Sequence, residues 1–272
     1  MGKQSVNTKK TSHAPMLLPI GDDDRRLDGP AYVTWALLIA NGVVFFLLQQ
    51  AGTNAAFNYG WSVIPQEVTT GTDLTSPQTI EAQGEQMQIP QAPGPSPIYL
   101  TILTAMFMHS GYLHLGGNML YLWIFGDNVE HRFGAGIFLM FYLVSGLVAT
   151  LAQILLNPDG VVPNVGASGA ISGVLGAYLV LFPRNRVRAI LFYFVVSLPA
   201  AAVIGGYIVL QFVEGFGARM AAEGTAGGVA YGAHIGGFFA GLAMALVLRG
   251  ITGRADDDHP PRRGPRRPHR RQ

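Results

Sequence analysis

The sequence predicts an all-α, polytopic membrane protein, a bundle of six transmembrane helices, on three observations. Of its 272 residues 49% are hydrophobic and only 12% are charged, where a soluble domain carries roughly 25% charged residues. Six apolar stretches reach or approach the ~20 helical residues that a bilayer core requires. The basic residues, finally, fall on alternate connections between those stretches, as the bias of Lys and Arg toward the cytoplasm demands.

Residues 1–30 read as a cytoplasmic segment holding Lys3, Lys9, Lys10, Arg25 and Arg26. MGKQSVNTKK leads to DDDRR and not to an apolar core with a cleavage site, so no signal peptide is expected. Val6 stands where N-myristoylation needs Ser or Thr. The spans are placed near 31–49, 112–128, 137–156, 166–183, 188–212 and 230–249. Between Ala51 and Pro97 runs a polar loop without Lys or Arg, expected outside, and a loop of this length carries function or disorder. IYLTILTAMFM at 98–108 is too short to span and is expected to be interfacial or re-entrant.

With six spans, Arg132, Arg184, Arg186, Arg188 and the C-terminal tail all share the cytoplasmic side with the N-terminus, and only Arg219 faces outside. A seventh span at 98–108 would destroy that segregation. The membrane domain is thus 31–249, with 51–111 as its extracytoplasmic first loop. The basic tail, 250–272, reads as disordered, an anchor near anionic lipid in preference to a nucleic-acid binder. The chain has no cysteine, which removes disulfides and thiol catalysis.

Two motifs carry chemistry. VGASGAISG at 165–173 sets Ser168 among small residues at the start of the fourth span, where a helix N-terminus offers unpaired N–H groups to an oxyanion. Gly169 and Gly173 would by themselves serve close helix packing equally well. GAHIGGFFAG at 232–241 places His234 inside an apolar helix, with Gly232 and Gly236, and Gly237 and Gly241, at four-residue spacing. A residue that titrates near neutral pH inside a membrane is a functional candidate, although a histidine satisfied structurally is open at this point.

In HSGYLHLGGNMLYL at 109–122, His114 and Asn118 are four apart and share a helix face. The second, fourth and sixth spans all begin outside, so His114, Asn118, Ser168 and His234 fall at similar depth. They supply a nucleophile, a base and hydrogen-bond donors, the parts of an acyl-transfer site. Asp127, Glu130 and Asp159 are not placed to orient His234, which leaves a Ser–His dyad.

On these residues the chain resembles the rhomboid family over nearly all of 31–249. Its motifs appear as GASG at 166–169, AHIGG at 233–237, and His109, His114 and Asn118; GDNVEHRFG at 126–134 looks like the family's turn after the second helix. The resemblance implies an intramembrane serine endopeptidase that cleaves transmembrane protein substrates near the outer surface of the lipid bilayer through an acyl-enzyme. It implies Ser168 as nucleophile, His234 as base, and His114, Asn118 and the Ser168 backbone N–H as oxyanion donors. His109, Gly166, Gly169, Ser172 and Gly237 are candidate supporting residues. By the same resemblance the fifth span and the 214–228 loop are the mobile gate and cap, and neither a metal nor an organic cofactor is implied. Ser172 stands where some members carry a Tyr against the base, and the Trp-Arg pair of some members' first loop is missing, since 51–111 holds no Arg.

Two other functional classes compete with this reading. A non-catalytic rhomboid-like protein that binds transmembrane segments would be favoured by loss of Ser168 or His234, and both are present. A metal transporter using His109, His114, His131 and His234 fits poorly, because His131 falls on the inner side and no carboxylate–histidine cluster accompanies the others. Asp22, Asp23 and Asp24 near the start argue against a transit peptide and for a bacterial plasma membrane, with both termini cytoplasmic.

Overall fold

Apolar side chains point outward along the long helices: Ile39 is 62% exposed, Leu155 79% and Val247 61%. In water such a surface would aggregate; against acyl chains it is the expected exterior. The computed structural model describes residues 17–22, 29–82, 85–220 and 230–251. The basic residues Lys3, Lys9, Lys10, Arg25 and Arg26, residues 221–228 of the expected 214–228 loop and the Arg254–Gln272 tail lie outside the described residues; residues 214–220 of that loop are helical, a correction.

In chain order the elements are β1 (Leu17–Gly21), α1 (Tyr32–Val43), α2 (Ala55–Gly60), α3 (Pro65–Thr70), β2 (Gln78–Ala82), β3 (Glu85–Ile89), α4 (Thr101–Thr104), α5 (Tyr112–Phe133), α6 (Ala135–Leu156), α7 (Ser168–Leu181), β4 (Arg186–Leu191), β5 (Phe194–Pro199), α8 (Ala200–Met220) and α9 (Tyr231–Ile251). Two of these, α6 and α9, are long and apolar enough by themselves to cross a membrane; Tyr32–Leu48, Ile98–Phe107, Ser168–Leu181 and Ala200–Gly215 are shorter apolar helical runs. The 98–108 stretch is broken into short helical turns.

The expected span at 188–212 is corrected. Residues 186–199 form a hairpin, and the helix begins only at Ala200. The reason lies in local chemistry: Arg186, Val187, Arg188 and Ala189 alternate between exposed and buried, the period of a strand. Pro199 closes β5, and β4 lies between β1 and β5 in an antiparallel three-stranded sheet. The supposed turn at 126–134 is corrected too. It is helical through Phe133, and the chain reverses at Gly134, whose φ of +81° favours glycine.

The molecule has two distinct ends. At one, Asn128 of α5 donates to Asp22 beside β1 at 2.9 Å, and Tyr178 of α7 donates to the same carboxylate. Glu130 accepts from the backbone N–H groups of Val33 and Thr34 at 2.9 and 2.7 Å, so a carboxylate from α5 caps α1. At the other end the first loop is strapped to the α6–α7 connection, with Val63 bridged to Asn164 and Gln91 donating to the Val161 carbonyl. Between them lies a core that includes Phe125, Phe138, Tyr142 and Tyr178.

The closest helix packing is between α7 and α9. A Cβ on Gly237 would overlap the carbonyl oxygen of Gly169, and one on Gly241 would overlap that of Gly173. Both pairs are spaced by four, so one glycine stripe lies along each helix and the backbones meet.

Candidate active site

Three helices begin at the end that carries the first loop. Ser168 opens α7, His234 is in the first turn of α9, and His114 is in the first turn of α5. Because Gly169 and Gly237 let their helices touch, Ser168, beside Gly169, and His234, one turn before Gly237, are brought together. The Nε2 of His234 lies 2.8 Å from Ser168 Oγ, within reach for proton transfer. His234 is buried, and Ser168 is half-buried.

The start of α7 is not capped by a side chain, so its first backbone N–H groups remain available to an anion. Gly166 comes two residues earlier with φ +138°. A Cβ there would sit 2.9 Å from His114 Cε1, 3.0 Å from its Nε2 and 3.4 Å from Ser168 Oγ. The missing side chain therefore leaves a space bounded by Ser168 Oγ and the His114 ring. The Nδ1 of His114 accepts from the Ser110 backbone N–H at 3.3 Å, with Ser110 Oγ at 3.0 Å. An occupied Nδ1 lone pair puts the ring proton on Nε2, on the side of that space.

Asn118 is buried, and its Nδ2 donates to the His114 carbonyl at 3.0 Å; an amide nitrogen carries a second hydrogen. His109 is fully buried, with its ring edge-on to His114 at 5.1 Å between centroids. Gln49, at the end of the first helical run, holds the His109 backbone through both its amide atoms, at 2.8 and 3.0 Å. His131 is elsewhere, hydrogen-bonded to the carbonyls of Asp127 and Gly29.

Sequence reasoning missed three participants. Ser110 orients His114. Tyr207 of α8 shares a 2.9 Å hydrogen bond with Ser172 and puts its ring 6.4 Å from that of His234. Gln211, one turn further along α8, places Oε1 2.6 Å from His234 Nδ1. A signal for Gln211 existed: it is a lone amide in the apolar run GGYIVLQFV, and polar residues inside a membrane helix seldom lack a partner. Beside Ser168 a small cavity is lined by Met106, Gly146, Ala149, Thr150 and Ala233 among others.

A family profile described as Rhomboid domain matches residues 98–251. Among similar proteins, Rhomboid protease GluP of Bacillus subtilis is 34% identical over 153 residues, which are 56% of this chain and 27% of that protein. Rhomboid protein 1, mitochondrial, of Saccharomyces cerevisiae is 35% identical over 158 residues, 55% of this chain and 42% of the relative. RHOMBOID-like protein 5 of Arabidopsis thaliana is 31% identical over 153 residues, 54% of this chain and 43% of the relative. The chain thus spans less than half the length of each of these relatives. The matched segment contains the apposed serine and histidine together with the helices that hold them, and the chain belongs to the rhomboid family.

Proposed function

We propose that the chain is an intramembrane serine endopeptidase that cleaves transmembrane-segment substrates near the outer membrane surface with Ser168 and His234 as a dyad. The observation that carries this reading is the 2.8 Å contact between Ser168 Oγ and His234 Nε2. Ser168 Oγ attacks the scissile carbonyl carbon while its proton passes to Nε2. The resulting oxyanion occupies the space beside Gly166, where His114 Nε2–H, the Asn118 amide and the uncapped α7 backbone stabilise it. Collapse of the tetrahedral species breaks the C–N bond, and His234 returns the proton to the leaving amine. Water, deprotonated by the same imidazole, then hydrolyses the acyl-enzyme and restores Ser168.

The remaining assignments rest on the same reading. Six spans put both termini in the cytoplasm of a bacterial cell and the 51–97 loop outside; 31–249 is the catalytic domain. The small cavity beside Ser168 takes a substrate side chain.

The test is labelling by a serine-directed phosphonate in detergent. Native protein should be labelled at Ser168, and Ser168→Ala should be neither labelled nor active. His234→Ala should also lose cleavage, because nucleophile and base act as one unit. Labelling at Ser172 instead would overturn the assignment.

A further inference from the structure

In a Ser–His dyad the imidazole must present an unprotonated Nε2 to the serine, which requires the neutral ring to carry its proton on Nδ1. Nothing in α9 itself secures that tautomer. On the opposite side of the ring, Gln211 Oε1 stands 2.6 Å from Nδ1. An amide oxygen only accepts, so the Nδ1–H donates to it and Nε2 is left free toward Ser168 Oγ, at 2.8 Å. Gln211 is itself buried. Its neighbour one turn back, Tyr207, is tied to Ser172 of α7 at 2.9 Å and flanks the His234 ring. Residues 207 and 211 share one helix face, so a single face of α8 braces the base from two sides.

From this arrangement we infer that Gln211 is the positioning residue for His234, taking the place that a carboxylate holds in a triad. The inference rests on the protease reading given above. Its chemistry suits a buried site. A neutral acceptor selects the tautomer without adding a charge that the low-dielectric surroundings would penalise. Tyr207 assists by restricting ring rotation, a role that Ser172 has no bulk to fill.

Among the described residues, the groups that face His234 are His114 from α5, Ser168 from α7, and Tyr207 and Gln211 from α8. One turn beyond Gln211, Glu214 lies beside Tyr231 of α9. A carboxylate introduced at 211 would therefore be the negative charge nearest the ring among the described residues.

The experiment uses the full-length protein in detergent, with the folded fraction titrated by the phosphonate. Gln211→Met keeps side-chain length and removes the acceptor; kcat should fall roughly 10- to 100-fold with KM nearly unchanged. Gln211→Glu restores an acceptor, so kcat should recover on the alkaline plateau. The acidic limb of its pH–rate profile should move to higher pH, because a carboxylate beside Nδ1–H stabilises the imidazolium. Nitrogen-15 NMR of labelled histidine in the native protein should report the Nδ1–H tautomer for His234, whether or not the variants fold. Should Gln211→Met keep native kcat in the folded fraction, or the Glu limb stay in place, or His234 show the Nε2–H tautomer, the inference is overturned. Failure of native protein to label at Ser168 would instead refute the protease reading.

Discussion

Gly237 of α9 rests on the carbonyl of Gly169 of α7 with no room for a Cβ, and this contact sets the separation of the helices that carry His234 and Ser168. Gly237→Val should therefore cost both stability and activity. Overpacking of a well-filled contact is typically worth about 1–3 kcal/mol, so thermal unfolding in detergent should start at clearly lower temperature. Gly205→Ala is the control: nothing lies within 4 Å of a Cβ there. Replacing that helical glycine should be neutral or stabilise by up to ~1 kcal/mol. A native melting curve for Gly237→Val would contradict the packing account.

Asn118→Ala separates catalysis from structure. The Asn118 amide already donates to the His114 carbonyl, and its remaining hydrogen is available to an oxyanion. Cleavage should slow by roughly 10²–10³, the usual value of one oxyanion donor, with melting temperature and KM nearly unchanged. Early melting with full specific activity in the folded fraction would reduce Asn118 to a helix brace.

Glu67 makes the first loop sensitive to pH. Its carboxyl is raised from the ordinary 4.5 to about 7, first by burial and further by neighbouring Asp73, against the lowering effect of the Leu74 N–H. A carboxyl whose folded value is raised stabilises the loop fully below about 4.5 and loses that contribution as pH climbs through about 7. Limited proteolysis of the 51–97 loop should accordingly speed up as pH rises through about 7. Glu67→Gln should remove the pH dependence, and an unchanged dependence in that variant would clear Glu67 of the role.

Topology is open to a clean test, because the chain has no cysteine of its own. An impermeant thiol reagent applied to intact cells should modify Thr75→Cys, an exposed position in the first loop, and miss Gln272→Cys. The opposite pattern would invert the proposed orientation.

Composition, apolar run length and polar residues in apolar surroundings made the helices and the pair Ser168 and His234 readable from sequence. These are properties of single segments: charge is excluded from lipid-facing stretches, and a serine or histidine stands out there. The four-residue spacing of Gly169 with Gly173 and of Gly237 with Gly241 also announced close helix contact, though not that the two stripes face each other. Tertiary structure alone decided what lies across the helices. Gln211 is 23 residues from His234 and Tyr207 is 35 from Ser172, and no local spacing relates them. The hairpin at 186–199 was hidden for a similar reason: its apolar residues satisfy a membrane helix as well as a strand, and β1, 165 or more residues away, provides the hydrogen-bonding edge that settles the choice. Sequence determined which polar groups stood in apolar surroundings; the packing of α7, α8 and α9 determined which partners they met, because a hydrogen bond depends on position in space and not on position along the chain.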